Sequence, residues 1–172
     1  MKKLISAAIL IFVCFVLQST VFRAISFGGI IPNLMVVLAA SFGFMQGEFA
    51  GLLVGFFCGM FMDVFTGDVF GIYSLIYMYI GYINGKFSYI FYPEDIKLPI
   101  ALIVGSDITY GLICYVFLFL LRGRFHFPFY FTHVIIPETV YTIIVTLFLY
   151  PLILWIYKRL LKAEKGSENS IV

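Results

Sequence analysis

The chain has 172 residues; 63% are hydrophobic, 20% aromatic and only 12% charged, and the formal net charge is +2. Soluble domains run near half apolar and a quarter charged, and a globule of this size cannot hide so much apolar surface from water. A water-soluble globule is therefore excluded, the small net charge suggests no nucleic-acid partner, and the bilayer becomes the expected second solvent.

A hydrocarbon core about 30 Å thick calls for roughly 20 helical residues per crossing. Residues 4–22 form an uncharged run of that length, preceded by Lys2 and Lys3. The run is longer than a signal-peptide core and no Ala-x-Ala site follows it, so it is expected to stay as a first helix. Apolar runs over 30–45, 49–65 and 69–83 are separated by Gly47-Glu48 and Gly67-Asp68. Each is only about 15–17 residues, at the lower limit for spanning, which suggests a locally thin protein or one re-entrant segment. Pro32 suits the first turn of the second span, where its missing N–H costs least.

The polar segment from Asn84 to Lys97 reads as a loop, with an interfacial piece near Phe87 to Tyr92. Residues 98–121 make a fifth span, Arg122 to Thr132 an arginine- and aromatic-rich loop, and 134–157 a sixth span. The tail over 158–172 is short and polar. With the N-terminus inside, the inner segments hold Lys2, Lys3, Lys86, Lys97, Lys158, Arg159, Lys162 and Lys165; the outer ones hold Arg23, Arg122 and Arg124. That bias obeys the positive-inside rule. It predicts an all-α polytopic protein with about six transmembrane helices, one domain over 1–157 and both termini cytoplasmic.

Four features stand out as candidate functional elements. Gly51, Gly55 and Gly59 recur every fourth residue and continue into Asp63. This puts them on one face, and small-residue faces let helices approach closely in lipid. Internal packing is the simpler reading of that face; a partner surface is the alternative. Asp63, Asp107 and Glu138 lie in apolar runs, where ionisable groups mark a site or a buried pair. Asp63 and Glu138 fall toward the outer face, where Arg23, Arg122 and Arg124 are available to neutralise them. Asp107 falls near mid-membrane among Ser106, Thr109 and Tyr110, about 14 Å along its helix. Glu138, Thr142, Thr146 and Tyr150 form a polar stripe at helical spacing, and Tyr73, Tyr77, Tyr79 and Tyr82 crowd the fourth span.

Cys14, Cys58 and Cys114 sit in apolar runs and read as packing residues. His126 and His133, seven residues apart, do not have metal-ligand spacing. No nucleophile with a base in reach emerges, so neither catalytic residues, nor a metal, nor a cofactor is expected.

Several strings are familiar together: Leu17-Gln18-Ser19-Thr20, Pro32-Asn33-Leu34, Ser41-Phe42-Gly43, the Gly51 to Gly67 ladder, Tyr77-Met78-Tyr79-Ile80-Gly81-Tyr82, and Pro137-Glu138 with Tyr141-Thr142. Their order along nearly the whole chain resembles the MreD family of bacterial rod shape-determining proteins. The resemblance implies a non-enzymatic scaffold in the inner membrane. It also implies a bitopic partner, MreC, and indirect links to a glycan polymerase, a transpeptidase and the actin-like MreB. It further implies a fold like the substrate-binding subunits of energy-coupling factor transporters. Candidate contact surfaces are the Gly51, Gly55, Gly59 and Asp63 face and the outer loop near Arg122 and Arg124. The alternative is a small-molecule-binding or transport subunit with a pocket lined by Tyr73, Tyr77, Asp107 and Glu138.

Overall fold

The computed structural model describes residues 2–26, 28–66, 70–90, 96–119 and 127–168. Helices dominate them and no regular strand forms among the described residues. This is what lipid demands, because every backbone polar group there must be satisfied within its own segment. Helix α1 covers Lys2–Val16 and runs on through a wide π turn, Leu17–Val21, to Ala24. Helices α2 (Leu34–Gln46) and α3 (Glu48–Thr66) are split at Gly47. Helix α4 is Ile72–Lys86, and α5 is Lys97–Cys114 with a π turn over Tyr115–Phe119. A helical turn at Phe127–Tyr130 and a π turn at Phe131–Ile135 lead into α6, Ile136–Glu168.

Four helical segments are long and apolar enough to cross a membrane: Ile5–Ala24, Glu48–Phe65, Lys97–Phe117 and Phe127–Arg159. The crowding read from the sequence between residues 30 and 83 has a simple solution. Helix α2 has only 13 residues, about 20 Å at 1.5 Å per residue. It need not match the bilayer because it touches protein on all sides. Every residue from Leu34 to Met45 is buried, and α2 contacts each of the other five helices. A helix that is apolar all round belongs in such a core.

Local signals set its ends. The Asn33 side chain caps the start, its Oδ1 accepting from Val36 N at 3.2 Å. Gly47, at φ +94°, stops it, and the Tyr157 hydroxyl donates to the Met45 carbonyl at 3.2 Å. Pro32 is not in the first turn as expected; it stands before the Asn33 cap, outside the helix.

Three further boundaries differ from the sequence reading. Asn84, Gly85 and Lys86 continue α4 rather than opening a loop, because Asn84 and Gly85 are buried packing residues. Residues 127–132, expected in a loop, are already helical. The tail past 157 stays helical to Glu168, since nothing in Lys158–Glu168 breaks a helix until Gly166.

Candidate functional site

The glycine ladder is a seam between α3 and α4. A Cβ at Gly51 would run into the Gly81 carbonyl oxygen, one at Gly55 into the Tyr77 carbonyl, and one at Gly59 into Tyr73 and Ser74 backbone. Gly81 meets Gly51 in the same way from the other side. The face offered by Gly51, Gly55 and Gly59 is therefore filled by α4 and is not a surface open to a partner, contrary to the expectation from the sequence.

Asp63 continues that face by one turn, and this decides its role. Its Oδ1 accepts from Tyr73 N at 3.0 Å and its Oδ2 from Ser74 N at 2.9 Å. The Ser74 hydroxyl also donates to Oδ2. Asp63 thus caps α4 from a neighbouring helix, at the positive end of the helix dipole. Helix α4 has only Gly71 at its own cap position, with no side chain to offer. These donors occupy both oxygens of Asp63. Arg122 and Arg124 lie outside the described residues.

A second polar constellation surrounds the start of α2. The first N–H groups of a helix have no partner within it. Here Leu34 N and Met35 N donate to Gln18 Oε1 at 2.9 and 3.3 Å, Asn33 N donates to Thr142 Oγ1 at 3.0 Å, and Asn33 Oδ1 takes Val36 N. Gln18 comes from the π turn of α1, and Thr142 from α6. The Tyr77 hydroxyl adds α4, donating to Asn33 Oδ1 at 2.9 Å. Tyr77 is fully buried and its ring packs on Tyr110 of α5, centroids 5.2 Å apart. Five helices are pinned at one point.

The acidic residues Asp107 and Glu138 flank this point. Asp107 is 2% exposed. Both of its oxygens are buried without a hydrogen bond of normal geometry, with the Thr139 and Thr142 hydroxyls beside them. Glu138 lies within electrostatic reach of Asp107 and close to the Asn33 amide. The hydroxyls beside Asp107 come from α6 rather than from its sequence neighbours Ser106 and Thr109. Ser106 instead accepts from Asn84 Nδ2 at 2.7 Å, and Thr109 turns back to the Gly105 carbonyl. Thr142, Thr146 and Tyr150 are buried, so the stripe on the last helix faces inward. Tyr73 joins the aromatic group through Tyr110 at 6.4 Å.

Sequence reasoning overlooked Gln18 and Asn33, the two amides that hold α2. Their signal was present: a polar residue inside an uncharged span, and Asn following Pro just before an apolar run. Cys14, Cys58 and Cys114 are buried free thiols. His133 stacks on Phe129 with centroids 4.2 Å apart; His126 lies outside the described residues. Among the described residues, no three His, Cys, Asp or Glu side chains converge on a possible metal position.

These features define a class: a multi-pass helical membrane protein whose polar side chains are turned inward to join helix ends. Within that class the chain belongs to the MreD family, since the family model described as rod shape-determining protein MreD matches residues 1–160. No curated protein and no solved structure matches it. Membership places the chain among the bacterial membrane proteins that determine cell shape.

Proposed function

We propose that this chain is a non-enzymatic scaffold of the bacterial cell-elongation machinery, holding the bitopic protein MreC in the inner membrane. Through MreC it would help organise the glycan polymerase, transpeptidase and MreB of peptidoglycan synthesis. The match over residues 1–160 carries this reading. The geometry supports it: Asp63, Gln18, Asn33, Tyr77 and Thr142 are all engaged in joining helices. Side chains so engaged serve rigidity rather than turnover. In this reading both termini lie on the cytoplasmic side, a proposal supported by the excess of lysines in the segments it puts there.

The test is capture of the tagged full chain from native membranes, followed by identification of co-purifying proteins. Recovery of MreC at near-equal amounts is the expected result, and depletion of the chain should turn rods into spheres. Recovery of a transporter's ATPase subunits without MreC would overturn the reading. That outcome would favour the alternative, a solute-binding subunit, for which the gathering of Tyr73, Tyr77, Asp107 and Glu138 is the supporting observation.

A further inference from the structure

A cleft of about 740 Å³ lies between the far ends of α1 and α3, within the range of about 300–1,000 Å³ usual for small-molecule sites. Phe15, Gln18, Ser19 and Arg23 line it from α1 and its π turn, and Met62 and Phe65 line it from α3. Among the described residues its wall carries one cation and no carboxylate.

Depth sorts these side chains. Arg23 is exposed and stands eighteen residues past Ile5 in the span Ile5–Ala24, about 27 Å along it. That is nearly the hydrocarbon thickness, so the charge lies at headgroup level on the face opposite the N-terminus. Phe15 lies eight residues deeper, about 12 Å, and packs against Phe65 with ring centroids 4.8 Å apart. The cleft is thus cationic at the membrane surface and apolar below it. Between the two levels sits Gln18, 5% exposed. Its Oε1 is committed to Leu34 N and Met35 N. The other end of the amide, Nε2, is left open to the cleft rather than sealed off as the Asp107 oxygens are. A donor against an apolar wall is costly until an acceptor meets it.

We propose that this cleft seats one anionic phospholipid of the outer leaflet, its phosphate on Arg23 and Gln18 Nε2 and its acyl chain against Phe15 and Met62. Charge and depth together select this occupant. A free phosphate would satisfy Arg23 and leave the apolar wall bare. An acyl chain alone would cover the wall and leave Arg23 and Gln18 without an anion. A zwitterionic headgroup would bring a cation of its own toward Arg23. A lipid of net negative charge meets every requirement, because guanidinium pairs with phosphate through two parallel hydrogen bonds and basic pockets between membrane helices hold anionic headgroups. The choice of leaflet follows from the cytoplasmic N-terminus proposed above; the site itself does not depend on the scaffold reading. Gln18 then joins the headgroup to the first N–H groups of α2, so occupancy steadies the junction of five helices.

The full chain, purified in detergent, stripped of lipid and given equal amounts of phosphatidylglycerol and phosphatidylcholine, tests this by native mass spectrometry. The parent should retain one phosphatidylglycerol per chain with at least tenfold preference, and should melt higher with it. Arg23→Ala should lose the preference. Ser19→Trp fills the cleft at unchanged charge and should lose it too, whereas Arg159→Ala, at the other face, should keep it. Equal retention of the two lipids by the parent, or an undiminished preference in either cleft variant, overturns the site. So does inorganic phosphate that raises melting as much as phosphatidylglycerol does, which would make the cleft a site for free anions. Where a variant no longer melts as a folded protein, a photoreactive phosphatidylglycerol on the unaltered chain decides. Adducts on residues 15–23 or on Met62 support the cleft, and adducts confined to other positions, or a protein partner found crosslinked there in place of lipid, overturn it. None of these outcomes bears on capture of MreC.

Discussion

Asp63 shows how one side chain substitutes for a missing local signal. Helix α4 begins after Gly71, which has no side chain with which to cap it, and Asp63 reaches across from α3 to bind Tyr73 N and Ser74 N. Removing an N-cap acceptor costs about 1 kcal/mol and up to about 2, and the charge at the helix N-terminus adds to this. Asp63→Ala should therefore lower the melting temperature in detergent by several degrees, at roughly 2–4 °C per kcal/mol for a chain of this size. Asp63→Asn should fall between the two, since it keeps one acceptor. A variant that melts with the parent would show the cap to be idle. The sequence held half of this: Asp63 lies one turn beyond Gly59 on the same face, so it had to point where the glycines point. What faced it was a matter of tertiary packing, and outer arginines seemed the nearer source of charge. Asp107 yields a separate expectation. It is buried with the Thr139 and Thr142 hydroxyls beside it, a setting in which a neutral amide of the same shape can stand in for the carboxyl. Asp107→Asn should thus restore rod shape in a depleted strain, scored by microscopy; spherical cells would make the carboxyl essential.

At the level of helices, the glycines divide into two kinds that spacing alone does not separate completely. Gly55 faces the Tyr77 carbonyl and Met78 backbone, which cannot move aside as the tip of a side chain would. Overpacking a tight site costs typically about 1–3 kcal/mol and sometimes more, and a backbone obstacle puts Gly55→Leu at the upper end. It should sharply lower the yield of monodisperse protein and its melting temperature. Gly105→Leu, at a position with nothing within 4 Å of where a Cβ would be, should leave both near the parent values. Equal damage from the two substitutions would mean that the α3–α4 seam is looser than its geometry implies. The regular four-residue period of Gly51, Gly55 and Gly59 was legible as a packing face, and Gly47 as a helix end. The brevity of α2 was legible too, as a run too short for the bilayer. Its central position was not. A helix that is apolar on every side gives no periodic clue to direction, so only the placement of its neighbours reveals that it is wrapped by protein. The late ends of α4 and α6 were missed for a related reason. Asn84, Gly85 and the charged tail look like loop residues, but burial holds the first two in the helix, and unbroken helix formers carry the last.

On the scale of the whole molecule, the all-helical membrane class followed from composition, and the positions of the helices followed from hydropathy. The way they are joined depends on polar contacts between residues far apart in the chain, such as Asn33 with Thr142 and Tyr77. Such contacts leave no trace in local spacing. The number of crossings now has a physical test. Helices α2 and α4 are shorter than a bilayer, so the six-crossing arrangement depends on protein shielding them from lipid rather than on their length. If both cross, Ser26 lies on the outer side, while Lys97 and Lys162 lie inside with both termini. Cys14, Cys58 and Cys114 are buried, so the parent chain should react little with a membrane-impermeant maleimide and needs no cysteine removed. Single cysteines then report directly. Ser26→Cys should be labelled in intact cells, whereas Lys97→Cys and Lys162→Cys should be labelled only after the membrane is opened. Labelling of both Lys97→Cys and Lys162→Cys from outside, with Ser26→Cys still labelled, would mean that α2 or α4 dips into the membrane and returns. The positive-inside count would then have balanced around an odd number of crossings.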